Sequence, residues 1–207
     1  MTLIVLAATM GNKYGGLKQL EGIGPNGETI LDFSVFDAVR AGFNRIVFVI
    51  SRHFEKEFKE LVSGKYEHMV DVEYVFQDIE TLPASKRNPN RKALYGSVRA
   101  VLMGKDLIDA PFGVINAVNF YQKESFELLY KELKQLECSD YHSVNICFRL
   151  KNVLAESGGV TRGILLRAEP SAIFTEARFA QFSNAPTPIS LSVAGIFTAA
   201  KSKLANA

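Results

Sequence analysis

Short apolar runs alternate with amphipathic stretches over the first two thirds of the chain, and this alternation constrains the fold most. The run RIVFVI at 45–50 is nearly all apolar, which is typical of a strand covered on both faces. Strands are predicted at 3–8, 45–50, 71–76 and 112–117. Helices are predicted from apolar spacing at 30–42, 53–63, 97–108 and 123–136. This order predicts an α/β fold with a mostly parallel, Rossmann-like sheet flanked by helices.

The pattern changes after residue 140, where short strand-like runs are joined by Gly, Ser and Pro turns. These runs lie at 142–149, 160–167, 172–176 and 189–197. They predict a β-rich C-terminal part that extends the sheet or forms a small separate one. Since no repeat or low-complexity linker interrupts the chain, residues 1–207 are interpreted as a single domain.

Composition excludes several classes of protein. A hydrophobic fraction of 47% with 22% charged residues is that of an ordinary globular chain. A formal charge of +2 gives no indication of a nucleic-acid partner, and no apolar run is long enough to span a bilayer. Cys138 and Cys147 lack metal-site spacing and are too few for a disulfide framework. We therefore expect free thiols in a cytoplasmic protein without a membrane partner.

A glycine-rich loop, TMGNKYGGLKQL at 9–20, follows the first predicted strand directly. Glycines in such a loop let backbone amides approach a phosphate, and Lys18 could add a positive charge against the same anion. The spacing matches neither of the common phosphate-loop motifs. A surface loop that needs its glycines only for turns therefore remains an equal alternative.

Segments spread in order along most of the chain carry a family resemblance. They are residues 6–50, EYVFQD (73–78), YGSVRAVL (95–102), FGVINAVNFY (112–121) and RLKNVLAESGGVTRGI (149–164). Together they resemble the sugar-phosphate nucleotidyltransferases, in particular the glucose-1-phosphate uridylyl- and thymidylyltransferase-like group. The family loop LAAG-x-G-x-R-x-G-G-x-K-x-L is matched at Ala7, Ala8, Gly11, Gly15, Gly16, Lys18 and Leu20. Thr9 replaces a loop glycine, and Lys13 replaces the arginine.

The resemblance implies a nucleotide-diphospho-sugar transferase-like fold and a reaction. In that family an oxygen of a sugar-1-phosphate attacks the α-phosphorus of a nucleoside triphosphate, and pyrophosphate leaves. The resemblance implies that Lys13 and Lys18 are catalytic residues that act on the phosphates. Implied nucleotide-binding positions are Ala7, Ala8, Thr9, Gly11, Gln77 and Gly96, and implied sugar-binding positions are Asn116, Glu156 and Gly158. As bare residues, Gln77 and Glu156 are more often solvated polar groups.

The chain departs from the family where magnesium is normally held. The family turn after the fourth strand has a sequence like NADDFYG, whereas this chain has NAVNFYQ at 116–122. Val118 and Asn119 stand where the acids are expected, and a hydrocarbon or neutral amide is a poor ligand for a hard cation. Moreover, no Asp or Glu follows Glu176, although the second metal carboxylate normally comes late in the fold. We therefore expect a degenerate metal site and doubtful magnesium binding.

Three functions remain open from the sequence. The chain could be a nucleotidyltransferase whose activity is impaired, acting on a nucleoside triphosphate and a sugar phosphate. It could instead be a catalytically silent homologue that binds a nucleotide or sugar phosphate or pairs with an active subunit, and it could form a homo-oligomer. A nucleotide-binding regulator that shares only the Rossmann-like plan is the third, because fold does not fix function.

Overall fold

The structure, a computed structural model, describes residues 1–8, 22–61, 63–77, 96–136, 144–149 and 152–154, and the backbone of three short strands at 163–164, 190–192 and 197–199. Strands and helices alternate through its first part. The strands are β1 (Thr2–Leu6), β2 (Arg45–Ile50), β3 (Asp71–Phe76) and β4 (Phe112–Asn116). The helices are α1 (Ile30–Ala41), α2 (Glu55–Leu61), α3 (Ser97–Met103) and α4 (Lys123–Leu133). The predicted α/β class is confirmed.

The central sheet has the order β3-β2-β1-β4, and these four strands are parallel. The chain moves outward from β1 through β2 to β3 and then crosses back to place β4 on the other side of β1. The strand order therefore reverses between β1 and β4. In open α/β sheets such a reversal opens a crevice outside the carboxyl ends of the strands, where ligands bind.

The core lies on both faces of this sheet because successive residues of a buried strand point to opposite sides. Leu3 and Val5 pack on the face covered by α1 and α4. Ile4 and Leu6 pack on the other face, where Ala100 of α3 joins the same cluster. Every residue of β1 is buried, which explains why its sequence shows no polar alternation.

Four short strands complete the described part of the fold: β5 (Phe148–Arg149), β6 (Gly163–Ile164), β7 (Ser190–Ser192) and β8 (Phe197–Ala199). Strand β8 pairs antiparallel with β4 and extends the main sheet, whereas β7 lies between β5 and β6 in a second sheet. The predicted β-rich C-terminal part is confirmed in this form. The predicted strand at 172–176 lies outside the described residues.

Helix α1 shows how local sequence sets its ends. Thr29 is the N-cap and exchanges hydrogen bonds with Asp32 in a capping box. The helix ends at Gly42, whose φ of 115° is in the left-handed region that favours glycine. The apolar spacing of Phe33, Phe36 and Val39, which predicts this helix, does not mark its buried face. Phe36 is 51% exposed, and the buried residues are Leu31, Ser34, Val35 and Ala38.

Three other predicted helices proved too long. The stretch at 53–63 begins with a 3-10 turn at Arg52–Phe54, so α2 starts only at Glu55. Helix α3 ends at Gly104 and is followed by a second 3-10 turn, Lys105–Leu107. Helix α4 ends at Leu133, and its buried apolar side chains are Phe126, Leu129 and Leu133. Apolar spacing continues through these 3-10 turns, which is why periodicity alone overestimated helix length.

Candidate functional site

The carboxyl ends of β1 and β4 meet at the strand-order reversal, and several sequence-predicted site residues lie there. Ala7 and Ala8 follow β1 and are almost fully buried. The Ala7 amide donates to the carbonyl of Val49 at 2.8 Å, and the Ala117 amide donates to the carbonyl of Leu6 at 3.1 Å. These bonds continue the sheet just beyond its strands. Because the side chains of Ala7 and Ala8 are small, they occupy little space at this edge of the sheet.

Gln77 and Gly96 are brought together at the end of β3. The Gln77 amide donates to the carbonyl of Ile50 at 2.9 Å, so the residue continues the strand ladder. Its side chain is 2% exposed, and Nε2 donates to the carbonyl of Gly96 at 3.4 Å, a long hydrogen bond. Gly96 is the exposed N-cap of α3. Among the residues that the structure describes, no atom lies within 4 Å of where a Gly96 Cβ would be.

The turn after β4 is held by hydrogen bonds within the turn. The amide of Asn119 donates to the carbonyl of Asn116 at 3.3 Å. The side-chain Nδ2 of Asn119 donates to the hydroxyl of Tyr121 at 3.2 Å. Val118 is 42% exposed and offers only hydrocarbon to the solvent. Where the resemblance leads one to expect two acids, this turn therefore presents an apolar side chain and an amide engaged by a tyrosine.

These turn residues do not fit a magnesium ion. Mg²⁺ requires hard oxygen ligands in near-octahedral geometry and is usually held through carboxylates. The Val118 side chain has no atom that can bind a cation, and Asn119, whose Nδ2 donates to Tyr121, offers at most a neutral amide oxygen. Within the described part of the chain, no cluster of three or more His, Cys, Asp or Glu side chains has the geometry to hold a metal.

The remaining predicted site residues lie outside the described residues. They are the phosphate-loop residues Thr9, Gly11, Lys13 and Lys18 and the sugar-segment residues Glu156 and Gly158. Their assignments stay predictions. Of the two cysteines, Cys147 is described and is free, as expected.

Sequence reasoning missed two residues that shape the β4 turn. Tyr121 is 1% exposed and accepts a hydrogen bond from the Asn116 amide at 3.0 Å in addition to that from Asn119. Gln122 has a φ of 65°, the one positive value at a non-glycine position in the described ranges. The second feature carried a signal in the sequence, because the family motif NADDFYG has glycine where this chain has Gln122. The hydroxyl partners of Tyr121 had no such signal.

A second surface feature, a groove of about 540 Å³, lies at the N-terminal end of α1. Its walls are mainly Phe33, Phe36, Tyr66 and Met69, and no sequence-predicted site residue lines it. The ring of Phe33 meets the ring of Phe120 edge to face, with centroids 6.2 Å apart, so the groove adjoins the β4 turn. We place the candidate site at the strand-order reversal rather than in this groove, because the predicted residues Ala7, Ala8 and Asn116 lie at that edge of the sheet and none of them lines the groove.

Asp32 is the central polar group of the groove and is fully engaged. It accepts hydrogen bonds from the amide and hydroxyl of Thr29 at 2.6 and 2.9 Å, from Lys65 at 2.7 Å and from the hydroxyl of Tyr66. Burial raises the pKa of Asp32, but these hydrogen bonds outweigh it and hold the pKa below its ordinary value. The cluster therefore ties α1 to the segment before β3.

Comparisons with known proteins identify the fold. No protein-family model matches the chain, and no curated protein matches its sequence. Solved structures do match. One is described as a glucose-1-phosphate thymidylyltransferase from Bacillus anthracis in complex with sucrose, with a TM-score of 0.67 and 15% identity over 99% of this chain and 73% of that chain. Another is the inositol-1-phosphate CTP transferase from T. maritima, with a TM-score of 0.62 and 12% identity over 99% of this chain and 72% of that chain.

At such identities the likeness concerns the fold alone. The parallel four-stranded sheet flanked by helices is consistent with these neighbours, as the sequence resemblance implied. In the described residues, every helix is too short or too polar to cross a membrane. The chain therefore has an α/β, Rossmann-like fold that is similar to the folds of these two solved structures.

Proposed function

We propose that this protein binds a nucleoside triphosphate and a sugar phosphate in the crevice between β1 and β4, and that its capacity for nucleotidyl transfer is impaired. The fold and the position of the strand-order reversal support a ligand site at this edge. Both structural neighbours are named as enzymes that transfer a nucleotidyl group to a phosphorylated small molecule. The observation that carries the impairment is the β4 turn, with Val118 exposed and Asn119 bound to Tyr121.

The reaction itself explains why this turn matters. A sugar-phosphate oxygen forms a bond to the α-phosphorus while the bond to the leaving pyrophosphate breaks, and negative charge builds up on the phosphates. Nucleotidyl transfer depends mostly on positioning and on neutralising this charge. Loss of one preorganised electrostatic contact commonly lowers the rate by roughly 10²–10³-fold. Because this turn has no carboxylate to hold magnesium, the lysines of the glycine-rich loop would have to neutralise the negative charge on the phosphates.

The individual roles follow the resemblance and are part of the proposal. Lys13 and Lys18 neutralise the phosphates, and the loop at Thr9 and Gly11 approaches them with its backbone. Gln77 and Gly96 form the wall that receives the base, and the hydrogen bond from Gln77 Nε2 to the Gly96 carbonyl supports this pairing. The sugar is bound by the remaining predicted positions, Asn116, Glu156 and Gly158. A cytoplasmic location and a homo-oligomer also remain proposals.

The test combines turnover and binding. UTP or dTTP is mixed with glucose-1-phosphate, and CTP with inositol 1-phosphate, with magnesium present, and pyrophosphate release is measured. We expect no more than a trace of release, together with a thermal stabilisation by nucleotide alone. Stabilisation should be lost in Lys18→Gln. A matched control is Lys123→Gln, which removes a charge from α4, where Lys123 pairs with Glu127 at 3.2 Å.

Each outcome discriminates between the functions. Rapid magnesium-dependent release would show an active nucleotidyltransferase and contradict the impairment. Stabilisation without release supports the silent or impaired binder. If neither nucleotide nor sugar phosphate stabilises the protein, the proposal that the crevice binds these ligands is wrong. A role as partner of an active subunit then becomes the alternative.

A further inference from the structure

The hydroxyl of Tyr121 is the point at which the β4 turn is fixed. It accepts hydrogen bonds from the backbone amide of Asn116, the last residue of β4, at 3.0 Å and from Asn119 Nδ2 at 3.2 Å. The ring is 1% exposed and packs edge to face on Phe126 of α4, with centroids 6.1 Å apart. Burial raises the pKa of Tyr121, so the hydroxyl is neutral at ordinary pH and keeps its own proton.

The next residue holds a strained backbone. Gln122 has φ 65° and ψ 157°, a combination that is almost confined to glycine and costs roughly 1–3 kcal/mol for other residues. It is the N-cap of α4, yet its side chain makes no capping hydrogen bond. Such strain persists only where the surroundings over-determine the conformation.

Two anchors hold Gln122 in this conformation. On one side is the buried Tyr121, with its ring in the core and its hydroxyl in the turn. On the other is Ser125, whose hydroxyl donates to the carbonyl of Tyr121 and whose amide donates to the carbonyl of Gln122 at 3.3 Å. Without the Tyr121 hydroxyl, the turn at 116–122 would lose the bonds that oppose relaxation of Gln122.

We propose that Tyr121 is a positioning residue, whose hydroxyl holds the β4 turn in its ligand-binding conformation against the backbone strain at Gln122. The inference rests on the proposed function, because it assigns the turn to a site for nucleotide and sugar phosphate. Tyr121 acts through Asn116 and Asn119 and does not itself contact the ligand. The turn is thus set before a ligand arrives, which reduces the ordering cost of binding.

The experiment is a double-mutant cycle on binding. Dissociation constants for UTP and glucose-1-phosphate are measured for the wild type, Tyr121→Phe, Gln122→Gly and the double variant. Loss of the two hydrogen bonds should weaken binding by about tenfold in Tyr121→Phe. In the double variant, glycine adopts the same φ without strain, so affinity should return to within about threefold of the wild type. Tyr130→Phe removes a hydroxyl from α4, away from the β4 turn, and should bind as the wild type does.

A second readout follows the turn without ligand. Exchange of the Asn116 amide proton, measured by NMR, should accelerate in Tyr121→Phe and accelerate less in the double variant, which also lacks the hydroxyl acceptor but has no strain at position 122. A merely structural role for the buried ring predicts neither change, because phenylalanine keeps the packing on Phe126.

The outcomes separate this inference from the proposed function. If the wild type binds neither probe, the proposed function fails, and the positioning role fails with it. If the wild type binds and Tyr121→Phe binds equally well, only the positioning role is overturned. If Tyr121→Phe binds weakly and adding Gln122→Gly does not restore affinity, the hydroxyl does not act by counteracting the backbone strain at Gln122.

Discussion

Replacing Gly42 by alanine should destabilise the protein strongly, for two separable reasons. Gly42 ends α1 with a φ of 115°, a conformation that costs an L-residue roughly 1–2 kcal/mol. An added Cβ would also lie 2.6 Å from Cζ and 2.9 Å from the hydroxyl of Tyr130. That ring packs edge to face on Phe43, with centroids 5.5 Å apart, so it cannot move without disturbing the core.

The expected magnitude follows from these two terms. Overpacking of this kind typically costs about 1–3 kcal/mol. The lower entropy of the unfolded alanine chain offsets about 0.4–1 kcal/mol. The net loss in free energy of unfolding should therefore be about 1–4.5 kcal/mol, measured by urea denaturation followed by circular dichroism.

The chain offers a matched control for the backbone term. Gly27 also has a positive φ, 84°, but no atom of the described part of the chain lies within 4 Å of where its Cβ would be. Gly27→Ala should therefore show the backbone cost alone, about 1 kcal/mol or less. If Gly42→Ala is no more destabilising than Gly27→Ala, the close packing of Tyr130 against the end of α1 is refuted.

Two further predictions concern charged groups. Because the pKa of Asp32 is lowered on folding, its contribution to stability is present above the unfolded pKa and is lost as pH falls through the lower folded pKa. As the pH is lowered below about 4, the urea concentration at the denaturation midpoint should decrease in the wild type and decrease less steeply in Asp32→Asn. If the midpoint has the same pH dependence in both proteins, this role of Asp32 is contradicted. Restoring acids in the double variant Val118→Asp/Asn119→Asp should raise magnesium affinity in calorimetry at little cost in stability, since Val118 is 42% exposed. Unchanged affinity would show that the metal turn lies elsewhere, and Val98→Asp, at another exposed valine, is the control.

The sheet could be predicted from the sequence because buried parallel strands are recognisable one at a time. The run at 45–50 is apolar throughout, and β2 has the same bounds. The face of α1 could not be predicted in the same way. Phe33, Phe36 and Val39 have helical spacing, but Leu31, Ser34, Val35 and Ala38 have it too. Ser34 and Ala38 are buried although their side chains are small, and only the tertiary packing decides between the two faces.

The candidate site was predictable in part. The missing acids at Val118 and Asn119 follow from the sequence resemblance, and the structure places both in one turn at the strand-order reversal. The bonds of the Tyr121 hydroxyl could not be predicted, since they depend on the path of the backbone from Asn116 to Gln122. Sequence patterns predict which residues are buried and which secondary structure they favour. The hydrogen bonds to the Tyr121 hydroxyl, by contrast, form only when the turn has folded.

The most direct test of the central claim is calorimetric titration of UTP and dTTP into the protein, once with magnesium and once with EDTA. A site that holds nucleotide without a metal carboxylate at the β4 turn predicts binding in both conditions, with dissociation constants that agree within about threefold. The account is contradicted if the protein binds nucleotide only when magnesium is present, or if it binds neither nucleotide in either condition.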